Sequence, residues 1–149
     1  WQLDPQWKWQ STVTALPQNG SPELQAIEGA FNLDIDGDTF IGRRQIIETV
    51  GTYSLQKDLD DYSFYAGATQ LLVSNVPVTP GRYATNNYIG VEQVDNKNLV
   101  LIQDTQTGSY KIWQMNDRWN WQSTITQLPD SGTPELTALE LAFGVNLDT

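Results

Sequence analysis

The chain has no cysteine and no histidine, and only one methionine. Without Cys there is neither a disulfide framework nor a thiol nucleophile. Without Cys or His the usual ligands of zinc, copper and haem are missing, and so is the side chain most often used for acid–base chemistry near neutral pH. Positive charge is also scarce. Eight Lys and Arg face 18 Asp and Glu, for a net charge of −10. Such a surface argues against nucleic acid and against anionic membranes, and it favours cations. No apolar run approaches the roughly 18 residues of a membrane span, so no membrane insertion is expected. No signal-peptide pattern is visible either.

Tryptophan, by contrast, is plentiful: six in 149 residues, all near the two ends. They mark a repeat. Residues 1–31 match residues 113–143 at a constant offset of 112, with 18 of 31 positions identical. The shared text runs W-x-W-Q-S-T, L-P, G, P-E-L and A-x-E-x-A-F. A period far above about 50 residues is a domain-sized unit rather than a solenoid rung. The chain is therefore read as about one and a third units of a phase-shifted array. Residues 1–33 are the C-terminal hairpin and helix of a preceding unit, residues 34–45 an acidic calcium-type loop or joint, and residues 46–149 a tryptophan-rich β unit that ends in a helix and the start of the next loop. One unit of this length can enclose a hydrophobic core of its own, and no flexible linker separates the pieces.

Alternating apolar residues and turn signals predict strands at 46–55, 62–65, 70–73, 88–94, 98–103, 109–115 and 119–126. The last four are spaced as an antiparallel meander. Ser21-Pro22-Glu23 and Thr133-Pro134-Glu135 each supply a hydroxyl N-cap, a proline at the first helical position and an acid in the first turn. Leu24, Ile27, Ala30 and Phe31 then form an apolar stripe, copied by Leu136, Leu139, Ala142 and Phe143. The expected fold is mainly β with short helices (β-rich α+β): an antiparallel meander sheet or sandwich, with one short helix per repeat unit and an EF-hand-like acidic loop.

That loop is Asp34-Ile35-Asp36-Gly37-Asp38-Thr39-Phe40-Ile41-Gly42. Alternating carboxylates on a tight turn suit a hard, oxygen-loving cation such as calcium. By EF-hand spacing, Asp34, Asp36 and Asp38 take the first, third and fifth positions and the Phe40 carbonyl the seventh. Thr39 stands where glycine is usual, and Gln45 where a bidentate acid is usual; Glu48, three residues on, is a candidate substitute. These departures point to weak affinity, on the order of 10⁻⁴–10⁻³ M. The plain alternative is a solvated acidic turn. Asn146-Leu147-Asp148 reads as a repeat of Asn32-Leu33-Asp34, as though the next loop began there. Asp58, Asp60 and Asp61 lack ligand spacing and read as a charged turn.

Trp7 and Trp9 are two apart, as are Trp119 and Trp121, so on a strand each pair shares a face; Trp1 and Trp113 precede them on the neighbouring strand. Core packing is the plainer role for such large aromatics in a small β unit. A platform for sugar rings is the other. Asn19-Gly20-Ser21 is a glycosylation sequon that also reads as ordinary turn chemistry.

The segments Ile47-Glu48-x-Val50-Gly51, Ile89-Gly90-Val91-Glu92, Tyr110-x-Ile112-Trp113 and Trp119-x-Trp121, with the L-D-x-D-G-D loop at 33–38 and A-F-G-x-N-L-D at 142–148, resemble the tryptophan-rich domain found at the C-termini of cyanobacterial proteins. The resemblance implies large secreted or surface-displayed bacterial proteins, often with other calcium-binding repeats, and supplies no established activity. Catalysis is the weakest expectation, since no isolated carboxylate pair stands out from the metal-like cluster. The leading expectation is a structural repeat unit of an extracellular or cell-surface array or filament, with neighbouring repeat units or identical subunits as partners and calcium at the joint. A carbohydrate-binding or adhesive module, with a glycan as partner, is the alternative.

Overall fold

The computed structural model describes residues 1–13, 15–19 and 21–148. The chain forms two units, Trp1–Gly42 and Arg43–Thr149. The first contains a short hairpin, β1 (Gln2–Leu3) with β2 (Trp9–Ser11), then α1 (Pro22–Phe31) and β3 (Phe40–Ile41). The second contains β4 (Arg44–Glu48), β5 (Leu55–Asp58), β6 (Phe64–Ala66), β7 (Thr69–Gln70), β8 (Leu72–Val73), β9 (Val76–Pro77), β10 (Asn86–Val94), β11 (Lys97–Asp104), β12 (Tyr110–Met115), β13 (Trp121–Ile125) and α2 (Pro134–Phe143). Mainly antiparallel β structure with two short helices is thus what the sequence predicted and what the structure has.

In the second unit β4 to β7 form one antiparallel run and β10 to β13 another, with β8–β9 a separate hairpin. The β10–β11 turn places Asp95 and Asn96 at φ of 49° and 61°, the left-handed pair that matches the twist of a tight hairpin. β11 is buried on both faces. Val100 and Ile102 join Leu55, Phe64, Leu71, Tyr88 and Val91 in one core. Leu99 and Leu101 join Leu136, Leu139 and Phe143 of α2 in a second. The β10–β13 sheet therefore lies between the β4–β7 layer and the helix. That explains why β11 reads as an unbroken apolar run rather than an alternating one.

Two expected strands are broken. The strand expected at 46–55 stops at Glu48 and resumes at Leu55. Between them Gly51 takes φ +87°, and the buried Glu92 carboxylate accepts from the N–H groups of Thr52 and Tyr53 at 2.7 Å each. A Cβ on Gly51 would lie 2.5 Å from the Glu92 carboxyl carbon, so only glycine lets the bend close on that acid. The strand expected at 70–73 divides at Leu71, whose N–H goes to the Phe64 carbonyl.

Candidate metal centre and the tryptophan faces

Ser21 Oγ accepts from the Leu24 N–H at 3.2 Å and caps α1; the helix ends at Asn32, which is left-handed with φ 50°. One turn before that end lies Glu28. It occupies the i+4 position to buried Leu24 and is itself buried. Its carboxylate accepts from Ile35 N–H at 3.1 Å and Gly42 N–H at 3.3 Å, fastening both ends of the acidic loop to the helix. Gly42 is needed for that return: its φ is +59°, and a Cβ there would stand 2.8 Å from the Gln25 carbonyl. Within the loop Asp34 accepts from Gly37 N–H (2.7 Å) and Thr39 N–H (3.1 Å), Asp36 from Asp38 N–H (3.3 Å), and Asp38 from Phe40 N–H (2.9 Å).

These bonds gather Glu28, Asp34 and Asp36, whose nearest carboxylate oxygens lie within 4.8 Å of one another. Three negative groups so close repel one another, and a bound cation would reverse that repulsion. The cluster can hold a metal ion. Of the residues expected from the sequence it brings Asp34 and Asp36 together. Asp38 lies outside the cluster and Phe40 begins β3, while Gln45 and Glu48 stand on β4 of the other unit. Burial pushes the Glu48 carboxyl up, its bond from Val50 N–H partly offsets this, and the neighbouring Glu92 carboxylate raises it further. Glu28 was missed. The available signal was an acid inside an apolar stripe, kept as Glu140 in the second copy.

The second copy corrects the alignment of the loop. Gly144 at φ 63° occupies the left-handed cap position of Asn32. Glu140 accepts from Leu147 N–H at 2.9 Å, as Glu28 does from Ile35 N–H. The offset of 112 therefore continues without a gap. Asn146 is the counterpart of Asp34 and Asp148 that of Asp36, so Asn146-Leu147-Asp148 does not repeat Asn32-Leu33-Asp34. The cap geometry, rather than the text match, fixes the register.

The tryptophans divide. Trp113 packs edge-on to Tyr83 at 5.2 Å and to Tyr88 at 5.8 Å, and Trp119 edge-on to Tyr53 at 5.2 Å. Trp113 and Trp119 are 6% and 3% exposed, whereas their counterparts Trp1 and Trp7 are 87% and 83% exposed. Trp9 and Trp121 are exposed. The expected common face of Trp119 and Trp121 does not form. Trp119 is a turn residue at φ 55°, not a strand residue, and the β12–β13 register shifts beside it. Val73, Tyr83, Trp113, Trp121 and Thr124 line a shallow pocket of about 220 Å³. Asn19 is exposed in a turn; Gly20 of its sequon lies outside the described residues. Asp58 bends its own turn by accepting from Asp60 and Asp61 N–H groups, and Asp60 pairs with Arg43.

A model of the family described as the tryptophan-rich Synechocystis species C-terminal domain matches residues 50–149. No curated protein and no solved structure matches the chain. Among the described residues no helix is long and apolar enough to cross a membrane.

Proposed function

Given that the chain belongs to the tryptophan-rich Synechocystis C-terminal domain family, we propose that it is a non-catalytic structural repeat unit of an extracellular or cell-surface array or filament, stabilised by calcium at the acidic loop. The observation that carries this reading is the duplicated hairpin and helix. β1–β2 pairs Gln2 with Ser11 and Leu3 with Trp9; β12–β13 pairs Gln114 with Ser123 and Met115 with Trp121, with the same register shift. A piece built twice to one plan is what a serial array requires. Glu28, Asp34 and Asp36 would hold the cation, with Asp38 and the Phe40 carbonyl as further oxygen donors nearby in sequence. All are hard oxygen ligands, the set calcium prefers. Bound there, calcium would tie α1 to the loop that follows it and so stiffen the joint.

The test is thermal melting and sedimentation velocity in calcium and in chelator. Calcium is expected to raise the melting temperature, and Asp34→Asn with Asp36→Asn to remove the response. Identical melting of the wild-type chain in both conditions overturns the calcium assignment. A carbohydrate-binding module is the second reading, supported by the aromatic pocket at Tyr83, Trp113 and Trp121. A glycan screen with Trp121→Ala as control decides it: binding lost in the variant favours the module.

A further inference from the structure

We propose that residues 1–31, with their exposed aromatic side chains, are a donor segment. It completes a second β body, of the same chemistry as residues 43–112, carried by a neighbouring repeat. This rests on the structural-repeat reading and names the partner of the spare piece.

The second unit shows how such a piece is seated. Trp113 enters between Tyr83 and Tyr88, and Met115 joins the same core. The Trp119 ring meets Tyr53, while its carbonyl accepts the Leu72 N–H at 2.9 Å. Phe143 lies over Gly90, where a Cβ would come within 3.0 Å of the ring. Four large apolar groups thus fill prepared places. Their counterparts Trp1, Leu3, Trp7 and Phe31 are all exposed, Phe31 at 75% against 1% for Phe143. What singles them out is that each has a buried counterpart at the same place in the second copy, so each lacks a cover that its own residue type and local shape fit.

The first copy is already shaped for such a place. Trp7 holds φ +63°, close to the +55° of Trp119, although a bulky residue adopts that conformation at a cost. In the second unit, burial of the ring offsets that cost. β12 has β11 on its other edge, whereas β1 belongs to a two-stranded sheet and leaves that edge open to a partner strand. At the apolar positions buried in the second copy, the substitutions Leu3 for Met115 and Ile27 for Leu139 conserve volume closely enough for one seat to take either. Lys8 replaces Asn120, so the amide pair that Asn120 makes with Asn75 at 2.7 Å is not available to the first copy. A second copy of this same chain is not the occupant, because its seat is filled by its own Trp113, Trp119 and Phe143.

The test compares the 149-residue chain with a longer one in which residues 43–112 are placed directly before Trp1, reproducing the Ile112–Trp113 junction. Both are held in chelator, so that failure of the calcium assignment leaves the result unaffected. Oxidation of individual tryptophans is read by peptide mass spectrometry. In the longer chain, Trp1 and Trp7 should lose their reactivity and fall to the level of Trp113 and Trp119. Trp7→Ala should lower the melting temperature of the longer chain and leave that of the 149-residue chain unchanged. The proposal is overturned if Trp1 and Trp7 stay as reactive as before, whether or not the added body folds. It is equally overturned if Trp7→Ala has the same effect in both chains, or if the 149-residue chain alone protects Trp7 by dimerising.

Discussion

Asp4 accepts from the N–H groups of Gln6 and Lys8, both at 2.9 Å; Asn116 accepts from those of Arg118 and Asn120 at 2.9 and 3.0 Å. Both turns throw a tryptophan into the left-handed region. Both are followed by a helix capped by a hydroxyl, Ser21 or Thr133, and closed by a left-handed residue, Asn32 or Gly144. The two segments differ in what covers them. In the second copy Trp113, Trp119 and Phe143 are laid against apolar side chains of the sheets, whereas in the first Trp1, Trp7 and Phe31 face solvent, although Leu24 is buried like its counterpart Leu136. Backbone conformation here follows from short-range bonds written into each segment, whereas burial requires a body elsewhere in the sequence. Close similarity of local structure is therefore a poor guide to where a segment's stability resides.

The largest expected effect separates the two directly. Trp119→Ala empties a core position beside Tyr53 and should cost about 3–5 kcal/mol. Trp7→Ala, at an exposed position, should change stability by no more than about 0.5 kcal/mol. Chemical denaturation of both variants in the 149-residue chain measures this. Equal losses would mean that the first copy is buried in solution.

Much of the fold was legible because its signals are local. Ser21-Pro22 and Thr133-Pro134 started helices where expected, and the meander from β10 to β13 followed from its turn residues. The broken strand was not legible. Gly51 bends because Glu92, about forty residues away in sequence, draws in the Thr52 and Tyr53 N–H groups. The same holds for the tryptophans: period-two reasoning presumes a strand, and Trp119 sits at a positive φ. At the candidate site, loop spacing identified Asp34 and Asp36. Glu28 lies outside any loop-spacing rule, because it comes from the helix and reaches the loop by folding back onto the N–H groups of Ile35 and Gly42; its one sequence signal was an acid inside an apolar stripe.

A smaller effect tests how much local shape the first unit keeps unaided. Thr39 stands at φ +72°, where a β-branched residue is strained and glycine is not. Thr39→Gly should stabilise the unit by about 1 kcal/mol, the relief of a left-handed residue less the added freedom of glycine in the unfolded chain. On the proposed calcium reading it should also tighten the hold on the ion, because the loop is then kept in shape without strain. Differential melting of the variant in calcium and chelator checks both. A fall in stability would show that the threonine side chain contributes contacts that outweigh its backbone strain.

The smallest effect lies beneath α2, in the seat that only the second copy occupies. Glu48 and the Phe143 ring both approach Gly90, and Glu92 stands near enough to push the Glu48 carboxyl up. Burial is the main cause of that raised pKa. A raised folded-state pKa means that the folded chain binds this proton more readily than the unfolded chain. The stability it contributes is complete below the ordinary value of 4.5 and is lost as pH rises through the folded-state value. At neutral pH the charge is therefore a burden, and Glu48→Gln should raise the melting temperature slightly, since the amide oxygen can still accept from Val50 N–H. Below pH 4.5, where the carboxyl is already neutral, wild type and variant should converge. The gain should also shrink in a Phe143→Ala background, where the opened seat admits water to the carboxylate. A pH-independent difference would assign the effect to packing rather than charge. A gain untouched by Phe143→Ala would show that α2 does not keep this acid dry.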